Sequence, residues 1–278
     1  MARRDEGFFS SRDGTRLFFR SAAPDGEPRA LVAIVHGFGD HSGRYLHVID
    51  DLVARGFSTI ALDYRGHGKA DGPRSDCRQW PDYVDDMEAF WRKALEQAAG
   101  TPAFVLGHSH GGLIATHWAA LQPVGLKGLV LSSPYYALAF APPPLKLLGA
   151  RLAKRVLPGL QVPTGLTPRQ LSRDAAWQQA TTNDPLYLRT ITPRSFFGIQ
   201  VAQAALPGLA TSVTQPLLMA AGSADPVAST KASRSFFELV ASEDKTWKEY
   251  AGCVHEILND LGKEQVLGDI GQWISAHC

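Results

Sequence analysis

The sequence "AFVLGHSHGGLIATHW" at residues 103–118 joins an apolar run to a segment with helical spacing through a glycine-rich turn. The run at 103–107 is typical of a strand buried on both faces. Between the two lies the pattern G-x-S-x-G, formed by Gly107, Ser109 and Gly111. A serine on such a turn takes an unusual backbone conformation, and side chains at the glycine positions would clash. Although the pattern can occur by chance, this context predicts that Ser109 is a nucleophile at a strand-to-helix turn.

Strands and helices alternate on both sides of this turn with short connections, a pattern that predicts a mostly parallel sheet covered by helices on both faces. The predicted strands are 30–35, 57–63, 103–107, 126–133, 216–222 and 245–250. The predicted helices are 45–56, 80–100, 110–122, 231–241 and 262–277. Aromatic-rich runs on either side of Asp13-Gly14 predict a hairpin that adds an antiparallel edge. The expected fold class is therefore α/β.

The alternation stops between residues 135 and 210. This segment contains prolines, leucines and basic residues but no β-branched run, and its second part, 183–206, has helical spacing interrupted by prolines. The simplest interpretation is an insertion between two strands of one sheet. We expect a core made of residues 1–134 and 211–278, with residues 135–210 forming a helical cap (lid) over one edge.

Composition excludes several other classes of protein. The chain has 278 residues and a formal net charge of +1, which argues against a nucleic-acid surface. Its three cysteines, Cys77, Cys253 and Cys278, are widely spaced and contain no C-x-x-C, so neither a disulfide framework nor a metal site is expected. No export signal or apolar run of membrane-spanning length is seen, which favours a cytoplasmic protein. Nothing in the sequence indicates the oligomeric state.

A serine nucleophile needs a histidine base and a carboxylate that orients it, and on this fold both follow the serine in the chain. Asp225 lies in the loop after the strand 216–222, and His255 lies in the loop after the strand 245–250. Both therefore lie where loops at the carboxyl edge of the sheet would bring them to Ser109. Asp244 and Glu256 compete weakly for the role of the acid. His108 is adjacent to the serine, but we expect its side chain to project away from the base.

Cys253 is the alternative nucleophile, because it lies two residues before His255. A small, buried packing residue is the more common role for a free cysteine.

An oxyanion hole also needs two backbone N–H groups, one from the residue after the nucleophile and one from the loop after an early strand. Those positions are His110 and Phe38, the latter in "HGFGD" after the strand 30–35.

Several stretches resemble the monoacylglycerol lipases of the α/β-hydrolase superfamily in order and spacing: "HGFGDHSGRY", "DYRGHGKADGPR", "GHSHGG", "GSADPVAS", "YAGCVHEILND" and, in the cap, "NDPL" and "FGIQ". The resemblance covers the chain from about residue 7 to its end. It implies hydrolysis of an acyl-glycerol ester without a cofactor or metal. It also implies a triad of Ser109, Asp225 and His255, with oxyanion donors at Phe38 and His110. The chain departs from the family at His110, where methionine or leucine is usual.

Lysophospholipases and broad-specificity carboxylesterases share much of this pattern and remain alternatives. A peptidase of similar fold fits the apolar cap less well, and a non-catalytic ligand-binding member would be expected to lack a triad residue.

The cap sequence "LKLLGARLAKRVL" predicts an amphipathic helix. Four apolar residues share one face: Leu145, Leu148, Leu152 and Val156. The charged residues of this segment are all basic. Such a helix is suited to an anionic membrane surface, where the protein would bind peripherally and collect acyl substrate. The alternative is that these apolar side chains pack onto the core.

Overall fold

A computed structural model of the protein describes residues 3–278. In chain order the strands are β1 (Arg3–Ser10), β2 (Arg16–Ala23), β3 (Leu31–Val35), β4 (Ser58–Asp63), β5 (Ala103–His108), β6 (Leu126–Ser132), β7 (Val162–Pro163), β8 (Thr190–Ile191), β9 (Leu217–Gly222) and β10 (Lys245–Tyr250). The helices are α1 (Leu46–Ala54), α2 (Trp80–Ala98), α3 (His110–Ala119), α4 (Pro144–Val156), α5 (Pro168–Leu171), α6 (Ala175–Asn183), α7 (Pro193–Leu209), α8 (Thr230–Leu239) and α9 (Lys263–Ala276).

The central sheet has the strand order β1-β2-β4-β3-β5-β6-β9-β10. β2 is antiparallel to both of its neighbours. The remaining strands of this sheet, β4, β3, β5, β6, β9 and β10, pair in parallel. The hairpin between β1 and β2 turns at Gly14, whose φ of 85° favours glycine. The prediction of a mostly parallel sheet with an antiparallel edge is therefore confirmed.

Helices cover both faces of the sheet, because the parallel strands are apolar on both sides. One buried cluster joins the sheet to α2, α3 and α8, as the positions of Phe90, Leu113 and Phe236 show. The other joins it to α1 and α9, and includes Leu52 and Ile270. Each α-helical layer buries one apolar face, which is the packing expected of an α/β core.

The order of the strands brings distant loops to one edge. β5, β6, β9 and β10 are consecutive parallel neighbours, so their carboxyl ends lie side by side. The turn after β5 therefore meets the loops after β9 and β10, although Ser109 and His255 are 146 residues apart in the chain. Ligand sites of open α/β sheets lie at this edge.

The segment from residue 135 to residue 210 differs in detail from its prediction. Residues 184–192 were expected to be part of a proline-interrupted helical stretch, but they form a turn and irregular backbone that ends in β8, which pairs with β7. Two prolines contribute, because the residue before a proline is biased away from helix: Pro185 follows Asp184, where α6 ends, and Pro193 begins α7. Thr192 caps the helix by accepting a hydrogen bond from the N–H of Ser195. Within residues 3–278, no helix combines the length and apolar character needed to cross a bilayer.

The amphipathic helix of the sequence is α4. Its four apolar stripe residues are exposed by 62–80 %, and none of its residues is buried. The alternative in which this stripe packs onto the core is therefore wrong.

Candidate active site

Ser109 lies on a strained turn between β5 and α3. Its φ of 51° and ψ of −116° are unusual for a residue with a side chain. The glycines on either side are needed for close backbone contacts. A Cβ at Gly111 would lie 2.3 Å from the carbonyl oxygen of Val35, and one at Gly107 would lie 2.8 Å from the carbonyl oxygen of Gly111. The turn thus holds Ser109 at the carboxyl edge of the sheet, as the G-x-S-x-G pattern predicts.

The structure brings Ser109, His255 and Asp225 together. The Oγ of Ser109 lies 2.8 Å from Nε2 of His255, and Nδ1 of His255 lies 2.7 Å from Oδ2 of Asp225. The other carboxylate oxygen of Asp225 accepts hydrogen bonds from the backbone N–H groups of Val227 and Ala228, at 2.8 and 2.9 Å. Since Asp225 accepts at Nδ1, that nitrogen carries the proton of a neutral His255 and Nε2 is free to accept from Ser109.

Asp225 also changes the acidity of His255. Burial disfavours the charged imidazole, but the charge of Asp225 and the hydrogen bond to it outweigh burial and raise the pKa of His255 above its ordinary value. A raised pKa makes the imidazole a stronger base.

The predicted oxyanion donors, Phe38 and His110, are both near Ser109. Phe38 follows β3 in a loop whose backbone packs on the nucleophile, since a Cβ at Gly37 would lie 3.3 Å from Cβ of Ser109. His110 is the first residue of α3, and the N–H groups of a first helical turn have no acceptor within the helix. Both residues are therefore close to Ser109 in the fold, and their role as oxyanion donors stays a prediction.

The side chain of His110 is fully buried. Its ring meets the rings of Phe38, Tyr64, Trp80 and Tyr83 with centroid distances of 4.9 to 5.6 Å. Burial, and to a smaller extent His36, lowers the pKa of His110 to about 3, so the imidazole is neutral at physiological pH.

The orientation expected for His108 is wrong. Its ring lies beside that of His255, with 5.2 Å between the centroids. Side chains of a strand alternate between faces, and the even-numbered residues of β5, such as Phe104, pack in the same cluster as Ile257. His108 continues that face toward the loop that carries His255.

The rival carboxylates have other partners. Glu256 lies 3.1 Å from Nε2 of His108 and accepts a hydrogen bond from the side-chain amide of Asn259 at 2.9 Å. Asp244 lies 3.0 Å from Nε2 of His277 near the end of the chain. Only Asp225 among these three carboxylates reaches a ring nitrogen of His255.

An apolar cavity of about 270 Å³ opens onto Ser109 and His255. Its wall includes Phe38 from the core and many apolar side chains from residues 135–210, among them Leu138, Phe140, Leu147, Leu188, Ile191, Phe196 and Ile199. In residues 3–278, no group of three or more histidine, cysteine, aspartate or glutamate side chains is arranged to hold a metal ion.

Residues 181–188 bind the loop that carries Phe38, a connection that sequence reasoning missed. The N–H of Leu188 donates to the carbonyl of Gly39 at 2.7 Å. Asp184 accepts hydrogen bonds from Nε2 of His41 at 2.9 Å and from Arg44 at 3.3 Å. The one available signal was the motif "NDPL", which contains Asp184 but does not identify its partners.

Comparison with known proteins agrees with this geometry. A family model described as "Serine aminopeptidase, S33" matches residues 26–262. The chain is 32% identical to a monoacylglycerol lipase of Mycolicibacterium smegmatis over 99% of this chain and 98% of that protein. It is 35% identical to the human monoglyceride lipase, over 95% of this chain and 88% of the human protein.

The chain belongs to the monoacylglycerol lipase family of α/β-hydrolases. The crystal structure of a monoacylglycerol lipase from Paleococcus ferrophilus superposes with a TM-score of 0.81, 29% identity and full coverage of both chains. The protein is therefore a serine hydrolase that acts on carboxylic esters, and the resemblance seen in the sequence is confirmed.

Proposed function

We propose that the enzyme hydrolyses monoacylglycerols to fatty acid and glycerol through an acyl-enzyme on Ser109. The observation that carries the proposal is the apolar cavity that ends at Ser109 and His255. Its volume and apolar wall suit an acyl chain, and burial of a chain contributes about 0.8 kcal/mol per CH₂ group. The lipase relatives at 32% and 35% identity support the same substrate class.

In the proposed mechanism, His255 accepts the proton of Ser109 as the serine oxygen attacks the ester carbonyl. Asp225 holds the imidazole in the required tautomer and stabilises the imidazolium. The backbone N–H groups of Phe38 and His110 stabilise the negative oxygen of the tetrahedral intermediate. His255 then donates its proton to the leaving glycerol oxygen. Water, activated by His255 in the same way, releases the fatty acid and restores Ser109.

Hydrolysis of a monoacylglycerol chain-length series tests the proposal. The rate constant kcat/KM is expected to rise with acyl length until the cavity is filled, and Ser109→Ala should abolish turnover. Lysophosphatidylcholine and short-chain esters, tested in parallel, cover the lysophospholipase and carboxylesterase alternatives. An aminoacyl amide tests for the peptidase activity that the family description suggests. A non-catalytic protein would cleave none of these substrates. A higher kcat/KM on any alternative than on every monoacylglycerol would contradict the proposal.

We propose further that residues 135–210 form a cap over the core 1–134 and 211–278, and that α4 docks on an anionic membrane surface. Its exposed stripe of Leu145, Leu148, Leu152 and Val156 accompanies four basic residues and no acidic one. Apolar burial and attraction to anionic lipid act together on such a helix. A cytoplasmic location belongs to the same proposal, because the three cysteines are free thiols, as in a reducing compartment.

Vesicle binding tests the membrane contact. Replacing Leu148 and Leu152 by aspartate should abolish co-sedimentation with vesicles that contain phosphatidylglycerol, and should lower the rate on dispersed lipid but not on a soluble ester. Leu239→Asp is the matched control, because Leu239 is also exposed (56 %) but lies on α8. Unchanged vesicle binding by the double variant would refute the contact.

A further inference from the structure

The carbonyl oxygen of Gly37 is held on the buried side of the loop that follows β3 and carries Phe38. The hydroxyl of Tyr64 donates to it at 2.9 Å, Nδ1 of His36 lies 2.7 Å away, and the N–H of Asp40 donates at 3.2 Å. Because a carbonyl oxygen can only accept, Nδ1 of His36 must carry a proton. Burial lowers the pKa of His36 to about 4, so its ring is a neutral donor with one fixed tautomer.

This anchoring determines the direction of the next N–H group. The carbonyl of Gly37 and the N–H of Phe38 belong to the same peptide unit, and in a planar trans peptide they point in opposite directions. There are no cis peptide bonds in the described chain. With the carbonyl drawn inward by His36 and Tyr64, the N–H of Phe38 faces the opposite side, where Gly37, Phe38 and Ser109 line the cavity.

His110 takes part through Tyr64. Its Nδ1 lies 3.1 Å from the hydroxyl oxygen of Tyr64, and its Nε2 is buried with no partner. Since the tyrosine proton goes to Gly37, Nδ1 of His110 is the donor. The other tautomer would leave a buried N–H without an acceptor, which costs more than an unused lone pair.

We propose that Tyr64 and His110 are positioning residues that aim the N–H of Phe38 at the oxyanion, with His110 acting through Tyr64. The inference rests on the proposed oxyanion role of Phe38. It also assigns a role to the departure from the family at this position: the imidazole supplies a donor that a methionine or leucine lacks. Stacking of His36 on Tyr64, with 4.1 Å between the centroids, keeps the network in one arrangement.

A double-mutant cycle with Tyr64→Phe and His110→Leu tests the proposal on 4-nitrophenyl butyrate. Loss of an oxyanion donor lowers kcat by about 10²–10³-fold, and here the donor is only loosened, so we expect about a tenfold loss in Tyr64→Phe with KM unchanged. In His110→Leu, kcat should fall about threefold. In the double variant it should fall about tenfold rather than thirtyfold, because both substitutions affect the same hydrogen bond, that from Tyr64 to the carbonyl of Gly37. His110→Asn retains a side-chain N–H donor and should recover most of the loss.

Inhibition by a trifluoromethyl ketone separates a weakened oxyanion hole from a general structural defect. The ketone adds to the active serine as a charged tetrahedral adduct, so its inhibition constant should rise in parallel with the loss of kcat. The matched control is Tyr136→Phe, which removes another buried hydroxyl, bonded to Thr116 at 2.6 Å. That control is expected to keep both values near those of the wild type.

Three results would overturn the proposal. They are additive effects on kcat in the double variant, an unchanged inhibition constant for the ketone in Tyr64→Phe, and a rise in KM without a fall in kcat. If Tyr64→Phe does not fold, His110→Leu is compared with His110→Asn, and failure of asparagine to restore rate and inhibitor binding counts against the proposal. Neither probe contains glycerol. An enzyme that does not cleave monoacylglycerols would therefore refute the proposed substrate and leave this test intact.

Discussion

Replacement of Asp225 by asparagine is expected to move the proton of His255 to the wrong nitrogen. One carboxylate oxygen accepts the backbone N–H groups of Val227 and Ala228, and the other accepts Nδ1–H of His255. An asparagine that keeps both backbone bonds through its oxygen turns its NH₂ group toward Nδ1. The opposite orientation would place that NH₂ against two N–H donors, at a cost of about 1–3 kcal/mol for each.

In the favoured orientation Nδ1 of His255 must become the acceptor, so its proton moves to Nε2. That nitrogen is 2.8 Å from the oxygen of Ser109 and can then no longer accept the serine proton. A comparable change in another triad lowers kcat about 10⁴-fold, which corresponds to about 5.4 kcal/mol. We expect a loss of that order with an unchanged melting temperature.

The assay is the steady-state rate on 4-nitrophenyl butyrate together with thermal unfolding. Asp244→Asn is the matched control, because Asp244 contacts His277 and lies outside the cavity wall. It should retain wild-type activity. A loss below tenfold in Asp225→Asn would mean that another carboxylate orients His255.

Three further predictions concern pH and stability. Because the pKa of His255 is raised and only its neutral form accepts a proton, kcat/KM should fall as pH decreases through that raised value; a rate independent of pH down to 4 would contradict this. Gly111→Ala would place Cβ 2.3 and 2.4 Å from two backbone carbonyls, so urea unfolding should show a loss of at least about 2 kcal/mol, whereas Gly149→Ala meets nothing within 4 Å and should be neutral or stabilising by up to about 1 kcal/mol. Asp184→Ala removes the acceptor of His41 and should destabilise the fold by about 2 kcal/mol; an unchanged unfolding midpoint would refute that estimate.

The parts that the sequence predicts are those with local signals. Apolar β-branched runs and glycine turns predict the strands, and their alternation with helices predicts a mostly parallel sheet. Ser109, Asp225 and His255 could be chosen because each lies in the turn or loop that follows a strand, and parallel strands share one edge. Their meeting at hydrogen-bond distance follows from that edge.

The parts that were not predicted depend on contacts between distant side chains. The bond between His41 and Asp184 spans 143 residues, and that between Tyr64 and His110 spans 46. Nothing in the local pattern of either residue indicates its partner. The orientation of His108 was misjudged for the same reason, since it depends on which face of β5 packs against the loop after β10.

The most direct test of the central claim, that Ser109 is the covalent nucleophile, is mass spectrometry of the protein after treatment with an alkyl fluorophosphonate. We predict one adduct, mapped to the peptide that contains Ser109 and absent from Ser109→Ala. Equal labelling of the variant, or an adduct on Cys253 or another residue, would contradict the account.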